Sequence, residues 1–139
     1  MHLHASPQSG QTFYQNYWDA GALVMLNLLR YREQADYHTT PELAPDTVLT
    51  GQAAYNEYMR VAAPIIAEAG GELLYFGKAD NYLIGPDSES WDAVLLVRYP
   101  SAQAFVQMAQ SDAYQQIAGH RTAALADSRL LPSTPLTER

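Results

Sequence analysis

The run Ala22-Leu-Val-Met-Leu-Asn-Leu-Leu-Arg-Tyr31 constrains this chain most. Near-continuous apolarity over so short a length predicts a strand buried on both faces, flanked by other strands of a sheet. The residues after it decide which sheet. Gln52 to Ala69 carries Ala54, Tyr58, Val61, Ala62, Ile65 and Ala69 at helical spacing, and Gly70-Gly71 is placed to stop the helix. Pro64 lies inside it and is expected to kink it or loosen one turn. Glu72 to Ile84 and Trp91 to Tyr99 read as two strands around Gly85-Pro86-Asp87-Ser88-Glu89-Ser90, an antiparallel pair. Gly77 in the first of these marks a bulge or a close approach.

Ser101 can cap a helix containing Phe105, Val106 and Met108. Ser111-Asp112 can cap a second one running through Tyr114, Ile117, Ala118 and Leu125. Arg129-Leu130-Leu131 leaves space for one short last strand before Pro132. The order is β-α-β-β-α-β, the split βαβ arrangement: an α+β, ferredoxin-like sandwich with an antiparallel sheet and a split second helix. We expect an N-terminal extension over 1–21, the domain over 22–132 and a tail over 133–139. In the extension, the pairs Phe13/Tyr17 and Tyr14/Trp18 permit one short helix, with the first residues frayed. Glu33 to Thr50, with Pro41 and Pro45 and no apolar period, reads as a long loop and a candidate lid.

Ala93, Leu95, Val97 and Tyr99 point one way from their strand, while Val94 and Leu96 point the other. Helices cover only one face of such a sheet, so the other calls for a partner. A second copy, through a two-fold interface, is the expected one, making a homodimer.

Composition removes several chemistries. A formal charge of −7 and a sequence pI near 4.8 disfavour nucleic acid or an anionic membrane as partner. Without cysteine there are no disulfides, thiolate nucleophiles, iron–sulfur clusters or cysteine-ligated zinc. Gly70-Gly71 ends a helix, whereas a phosphate-binding glycine loop opens one, so no nucleotide cofactor is expected. The start Met1-His2-Leu3-His4-Ala5-Ser6-Pro7 has no charged stretch leading into an apolar core, so it is not expected to act as a signal peptide, and no apolar run approaches the roughly 20 residues of a membrane span. The cytoplasm is the expected compartment.

The stretches Val24 to Tyr37 (VMLNLLRYREQADY), Gly70 to Asp80 (GGELLYFGKAD), Trp91 to Phe105 (WDAVLLVRYPSAQAF) and His120 to Leu131 (HRTAALADSRLL) resemble the domain of unknown function 1330 family. The resemblance runs from about Gly21 to Leu131 and implies the dimeric α/β-barrel superfamily, in which two ferredoxin-like sheets pack face to face. More distant relatives there include cofactor-free monooxygenases, muconolactone-type isomerases and haem enzymes such as chlorite dismutase. Their shared feature, a small-molecule pocket between sheet and helices, is what the resemblance implies for this chain; it assigns no reaction.

Against that background a few residues stand out. Asn27 lies mid-strand on the face of Met25 and Leu29, where an unpaired amide would cost roughly 1–3 kcal/mol. Its amide can meet a ligand oxygen; otherwise it bonds a bulge, a loop or the other subunit. Arg121 shares a helix face with Tyr114, Ile117, Ala118 and Leu125, and can grip a carboxylate or enolate oxygen, or else reach water or Asp127. His120 is the one histidine inside an expected regular element and the best candidate for acid–base catalysis. No second histidine or carboxylate stands at ligand spacing on that helix, so no metal site is expected. Tyr55, Tyr58, Tyr75 and Trp91 can line an aromatic cavity, although such spacing equally suits a core.

Two functions fit these residues. One is a cofactor-free enzyme, isomerase- or monooxygenase-like, acting on a compact oxygen-bearing ligand held by Asn27 and Arg121, with His120 moving the proton. The other is a non-catalytic homodimeric ligand-binding or interaction module, favoured by the lack of a nucleophile elbow or paired carboxylates. A haem-binding variant requires His120 to face an open cavity.

Overall fold

The computed structural model describes residues 1–136. Helix α1 (Pro7–Tyr17) precedes strand β1 (Leu23–Tyr31); α2 (Gly51–Glu68), β2 (Glu72–Lys78), β3 (Ala93–Tyr99), α3 (Ala102–Gln110), α4 (Asp112–Ala124) and β4 (Leu125–Ser133) complete the order. The sheet is antiparallel throughout, in the order β2-β3-β1-β4, which is the ferredoxin-like arrangement.

Side chains alternate strictly along β1. Leu23, Met25, Asn27 and Leu29 are buried beneath the helices, while Val24, Leu26, Leu28 and Arg30 are only partly covered. The expected burial on both faces is therefore half realised within one chain. Direct cross-strand partners share a face, so Leu26 pairs Leu96 and Leu131, Leu28 pairs Val94, and Tyr75 pairs Leu96, all on the helix-free side. That side stays open: Tyr75 is 55% and Leu131 60% exposed. On the opposite side Leu23, Met25, Leu29, Leu95, Val97 and Tyr99 pack with Ala54, Tyr55, Tyr58 and Ala62 of α2 and with Met108 of α3.

The caps explain the helix boundaries. Ser101 Oγ accepts from Ala104 N–H, and Ser111 Oγ accepts from Tyr114 N–H, so one serine ends α3 and starts α4. At the end of α2, Gly70 N–H donates to Ala67 and Gly71 N–H to Ile66. With Gly70 at φ +84° this is a Schellman closure. Helix α2 runs on through Pro64, which lies on the exposed side, where water can meet the Arg60 carbonyl that loses its N–H partner.

Boundaries of β2, β3 and β4 differ from the sequence expectation. Strand β2 stops at Lys78 rather than Ile84, and β3 starts at Ala93 rather than Trp91. Beyond them the Asn81–Ser90 bridge and the bonds from Ala79 N–H to the Asp92 carbonyl and from Trp91 N–H to the Asp80 carbonyl persist, while Leu83 and Ile84 are 99% and 92% exposed in the connection. Strand β4 (Leu125–Ser133) begins at once after α4, so Leu125, expected in the helix, opens the strand, which is longer than the short one expected at Arg129-Leu130-Leu131. Pairing with β1 captures these residues, and the register shift between Arg30 and Tyr31 absorbs the misfit. The bulge of β2 falls at Leu74, between Leu73 and Tyr75. Gly77 is instead the close approach: a Cβ there would collide with the Tyr75 ring lying across it.

Candidate functional site

A cavity of about 680 Å³ lies between the helix face of the sheet and the helices. Its floor is Met25, Asn27, Leu95 and Val97; its walls are Tyr55, Tyr58, Phe105, Met108, Tyr114 and Arg121. Residues 2–5, with Ser9, Gly10 and Phe13 of α1, close one side. Such a volume and apolar lining suit a small organic molecule. The 33–50 connection, expected as a lid, contributes no lining residue. The N-terminal residues border the cavity instead, and they are docked rather than frayed. His2 N–H donates to Asp127 Oδ1 at 2.7 Å, Ser128 Oγ donates to the His2 carbonyl at 2.6 Å, and Tyr17 donates to the Pro132 carbonyl. The Leu3 side chain packs on the core, and Phe13 meets the Phe105 ring edge-on at 6.0 Å.

Arg121 is one of two arginines among the described residues that line the cavity. Nη1 donates to the Leu3 carbonyl at 3.0 Å and Nη2 to Ser128 Oγ at 3.3 Å. Among the described residues no carboxylate pairs with it, whereas Arg129, the other arginine at the cavity, is held by Asp127 and Glu89. Asn27 is 9% exposed, and its amide nitrogen donates to the carbonyls of Met25 and Leu95 at 3.4 and 3.3 Å. Both N–H groups are thereby committed. The sequence suggests an amide meeting a ligand oxygen; the atom left without a protein partner among the described residues is the acceptor Oδ1.

Tyr58 and Tyr114 share a hydroxyl–hydroxyl hydrogen bond of 2.8 Å across the wall. Burial pushes the hydroxyls of Tyr55 and Tyr58 well above the ordinary tyrosine range, with Arg121 pulling the other way. They stay protonated at neutral pH and act as hydrogen-bonding groups, not as bases.

The structure thus gathers Asn27, Arg121, Tyr55 and Tyr58 at one cavity and leaves out His120, Tyr75 and Trp91. Tyr75 lies on the open face of the sheet. Trp91 is 2% exposed; its indole donates to the Tyr82 hydroxyl at 2.7 Å and its ring lies 4.9 Å from the Arg129 guanidinium carbon. His120 shares a 2.8 Å hydrogen bond with the Tyr37 hydroxyl and turns toward the 33–50 connection. His2, Leu3, His4 and Ser128 were missed as lining residues. The alternation of His2 and His4 was visible in the sequence, but nothing local said that the segment docks. Among the described residues no group of three or more potential metal ligands forms.

Burial lowers the His120 pKa from its ordinary 6.5, and nearby Glu57 only partly opposes this. The unfolded chain then takes up the proton more readily than the folded one. This contribution to stability is complete above the ordinary value and is lost as pH falls through the depressed one. Urea midpoints measured between pH 7.5 and 5 should fall with pH, and His120→Gln should flatten that slope. An unchanged slope in the variant would remove His120 from the pH response.

The family described as "Domain of unknown function (DUF1330)" matches residues 46–132. The chain belongs to this family. The match contains the elements from α2 through most of β4; the Val24 to Tyr37 stretch precedes it. RPA0582, a protein of unknown function from Rhodopseudomonas palustris, is 35% identical in two crystal structures. The methylated form has a TM-score of 0.85, covering 98% of this chain and 96% of that one. The other has a TM-score of 0.83, covering 99% and 98%. A dimeric ferredoxin-like protein of unknown function from Jannaschia sp. CCS1 is 16% identical, with a TM-score of 0.55 over 83% of this chain and all of that one. Its likeness shows the fold. No curated protein matches this DUF1330 chain. Among its described residues no helix is long and apolar enough to cross a membrane.

Proposed function

We propose that this DUF1330 protein is a homodimeric binder of a compact, partly apolar, oxygen-bearing small molecule. The observation that carries this reading is Arg121, a guanidinium facing an apolar cavity of about 680 Å³ with no carboxylate partner among the described residues. The homodimer is supported by the open sheet face, where Leu26, Leu28, Val94 and Leu96 form an apolar patch bordered by Tyr75 and Leu131. The Jannaschia protein, described as dimeric, presents the same fold. A catalytic version of the reading loses its expected proton carrier, because His120 does not line the cavity; the imidazoles that do are His2 and His4. Binding is therefore the reading preferred over isomerase- or monooxygenase-like chemistry.

Native mass spectrometry on gently purified protein tests both halves. A dimer carrying a stoichiometric extra mass, which Leu96→Glu converts to monomer, is expected. Burying an unpaired carboxylate in such an interface costs several kcal/mol, enough for complete dissociation at micromolar concentration. A wild-type monomer would overturn the assembly. A dimer that carries no extra mass and takes up no neutral apolar dye, such as N-phenyl-1-naphthylamine, would overturn the binding role.

A further inference from the structure

The acceptors that occupy Arg121 belong, directly or through one hydroxyl, to the chain's own N-terminal segment. Nη1 holds the Leu3 carbonyl, and Nη2 holds Ser128 Oγ, which itself donates to the His2 carbonyl. A guanidinium withdrawn from water is compensated best by an anion, and two neutral oxygens are the weaker substitute. Arg121 lines this cavity without a carboxylate partner among the described residues. Asn27 adds the second half of the recognition. It is nine-tenths buried, both its N–H groups are spent on Met25 and Leu95, and its Oδ1 is open to a donor. Tyr55, Tyr58, Met25 and Leu95 line the same cavity, and their apolar atoms suit a compact apolar body.

Resting on the binding role above, we propose that the ligand is a carboxylic acid bearing a hydroxyl or N–H donor on a compact aromatic or apolar body. Its carboxylate displaces the Leu3 carbonyl from Arg121, and its donor meets Asn27 Oδ1. Binding therefore loosens the His2–Ala5 strap instead of tightening it. The strap is a place-holder: the Leu3 carbonyl satisfies the guanidinium while the site is empty. Once the Leu3 carbonyl is exchanged, two short clasps remain, His2 N–H on Asp127 and Ser128 Oγ on the His2 carbonyl, and the second depends on a serine that Arg121 also holds.

The test is hydrogen–deuterium exchange of the full chain with three acids and their amides: 4-hydroxybenzoate, 4-hydroxyphenylacetate and 3-(4-hydroxyphenyl)propanoate against the matching carboxamides. At least one acid is expected to bind about tenfold or more tighter than its amide, as a charged hydrogen-bond partner warrants. It should speed exchange of the His2 amide, the strap N–H held by Asp127, several-fold while slowing exchange in α4. Arg121→Gln should exchange fast in the strap without any ligand and treat acid and amide alike, with its circular dichroism unchanged. Acids that protect the strap, or that bind no better than amides, would overturn the inference. Uptake of N-phenyl-1-naphthylamine separates the two levels: dye bound with no acid preference leaves the binding role standing and removes the carboxylate. Failure of dye, acids and amides alike removes both.

Discussion

Tyr55→Ala is expected to lower stability by about 3–5 kcal/mol, the range for deleting a large buried aromatic side chain. Tyr55 is 1% exposed and heads the fully buried side chains by size. Its ring packs against Tyr58 at 5.3 Å, Tyr31 at 5.7 Å and Phe76 at 6.2 Å, tying α2 to β1 and to the edge strand β2. Since a domain's whole stability is about 5–15 kcal/mol, the variant should be close to unfolding at room temperature. Urea denaturation at fixed protein concentration reads the effect. Tyr55→Phe, which keeps the ring, is expected to cost about 1 kcal/mol or less. Equal losses in both variants would place the contribution in the hydroxyl and contradict the packing account.

Gly51→Ala should cost about 3 kcal/mol, at the upper end for overpacking, because what the new methyl meets is main chain. Gly51 opens α2 where three segments converge: its N–H donates to the Arg32 carbonyl at 3.0 Å, and Arg32 N–H donates to the Ala124 carbonyl at 2.8 Å. A Cβ would collide with both carbonyls. Side chains can rotate away; a junction of hydrogen-bonded backbones cannot. Gly10 in α1 is the internal control, with nothing within 4 Å of its would-be Cβ. Gly10→Ala is expected to gain roughly 0.5–1 kcal/mol from helix propensity. A Gly51→Ala midpoint within error of wild type would mean that the junction yields more readily than its geometry allows.

The contrast between those two glycines shows where local reading ends. Gly70 was legible as a helix stop because a Schellman closure uses only residues of its own turn. Gly51 was not, since its neighbours Arg32 and Ala124 are distant in sequence. The caps Ser101 and Ser111, the four strands and the split of the second helix were legible for the same reason as Gly70. The length of β4 was not: Leu125 continues the helical spacing of α4, and only pairing with β1 makes it, Asp127 and Ser128 strand. Asn27, Arg121, Tyr55 and Tyr58 could be singled out as polar or aromatic residues on otherwise apolar faces, and the cavity unites them. Tyr75 and Trp91 have the same chemistry, but the bulge at Leu74 and the early end of β2 direct them elsewhere.

The amino-acid order alone determined the succession of elements, the need for a sheet covered on one side and the absence of cysteine chemistry, because period, caps and composition are properties of neighbours along the chain. Tertiary structure alone decided what Arg121 and Asn27 face. The strap that occupies Arg121 comes from residues 2 and 3, bonded to residues 121, 127 and 128. No local pattern encodes a contact across more than a hundred residues; the folded sheet brings its two ends to the same edge of the cavity.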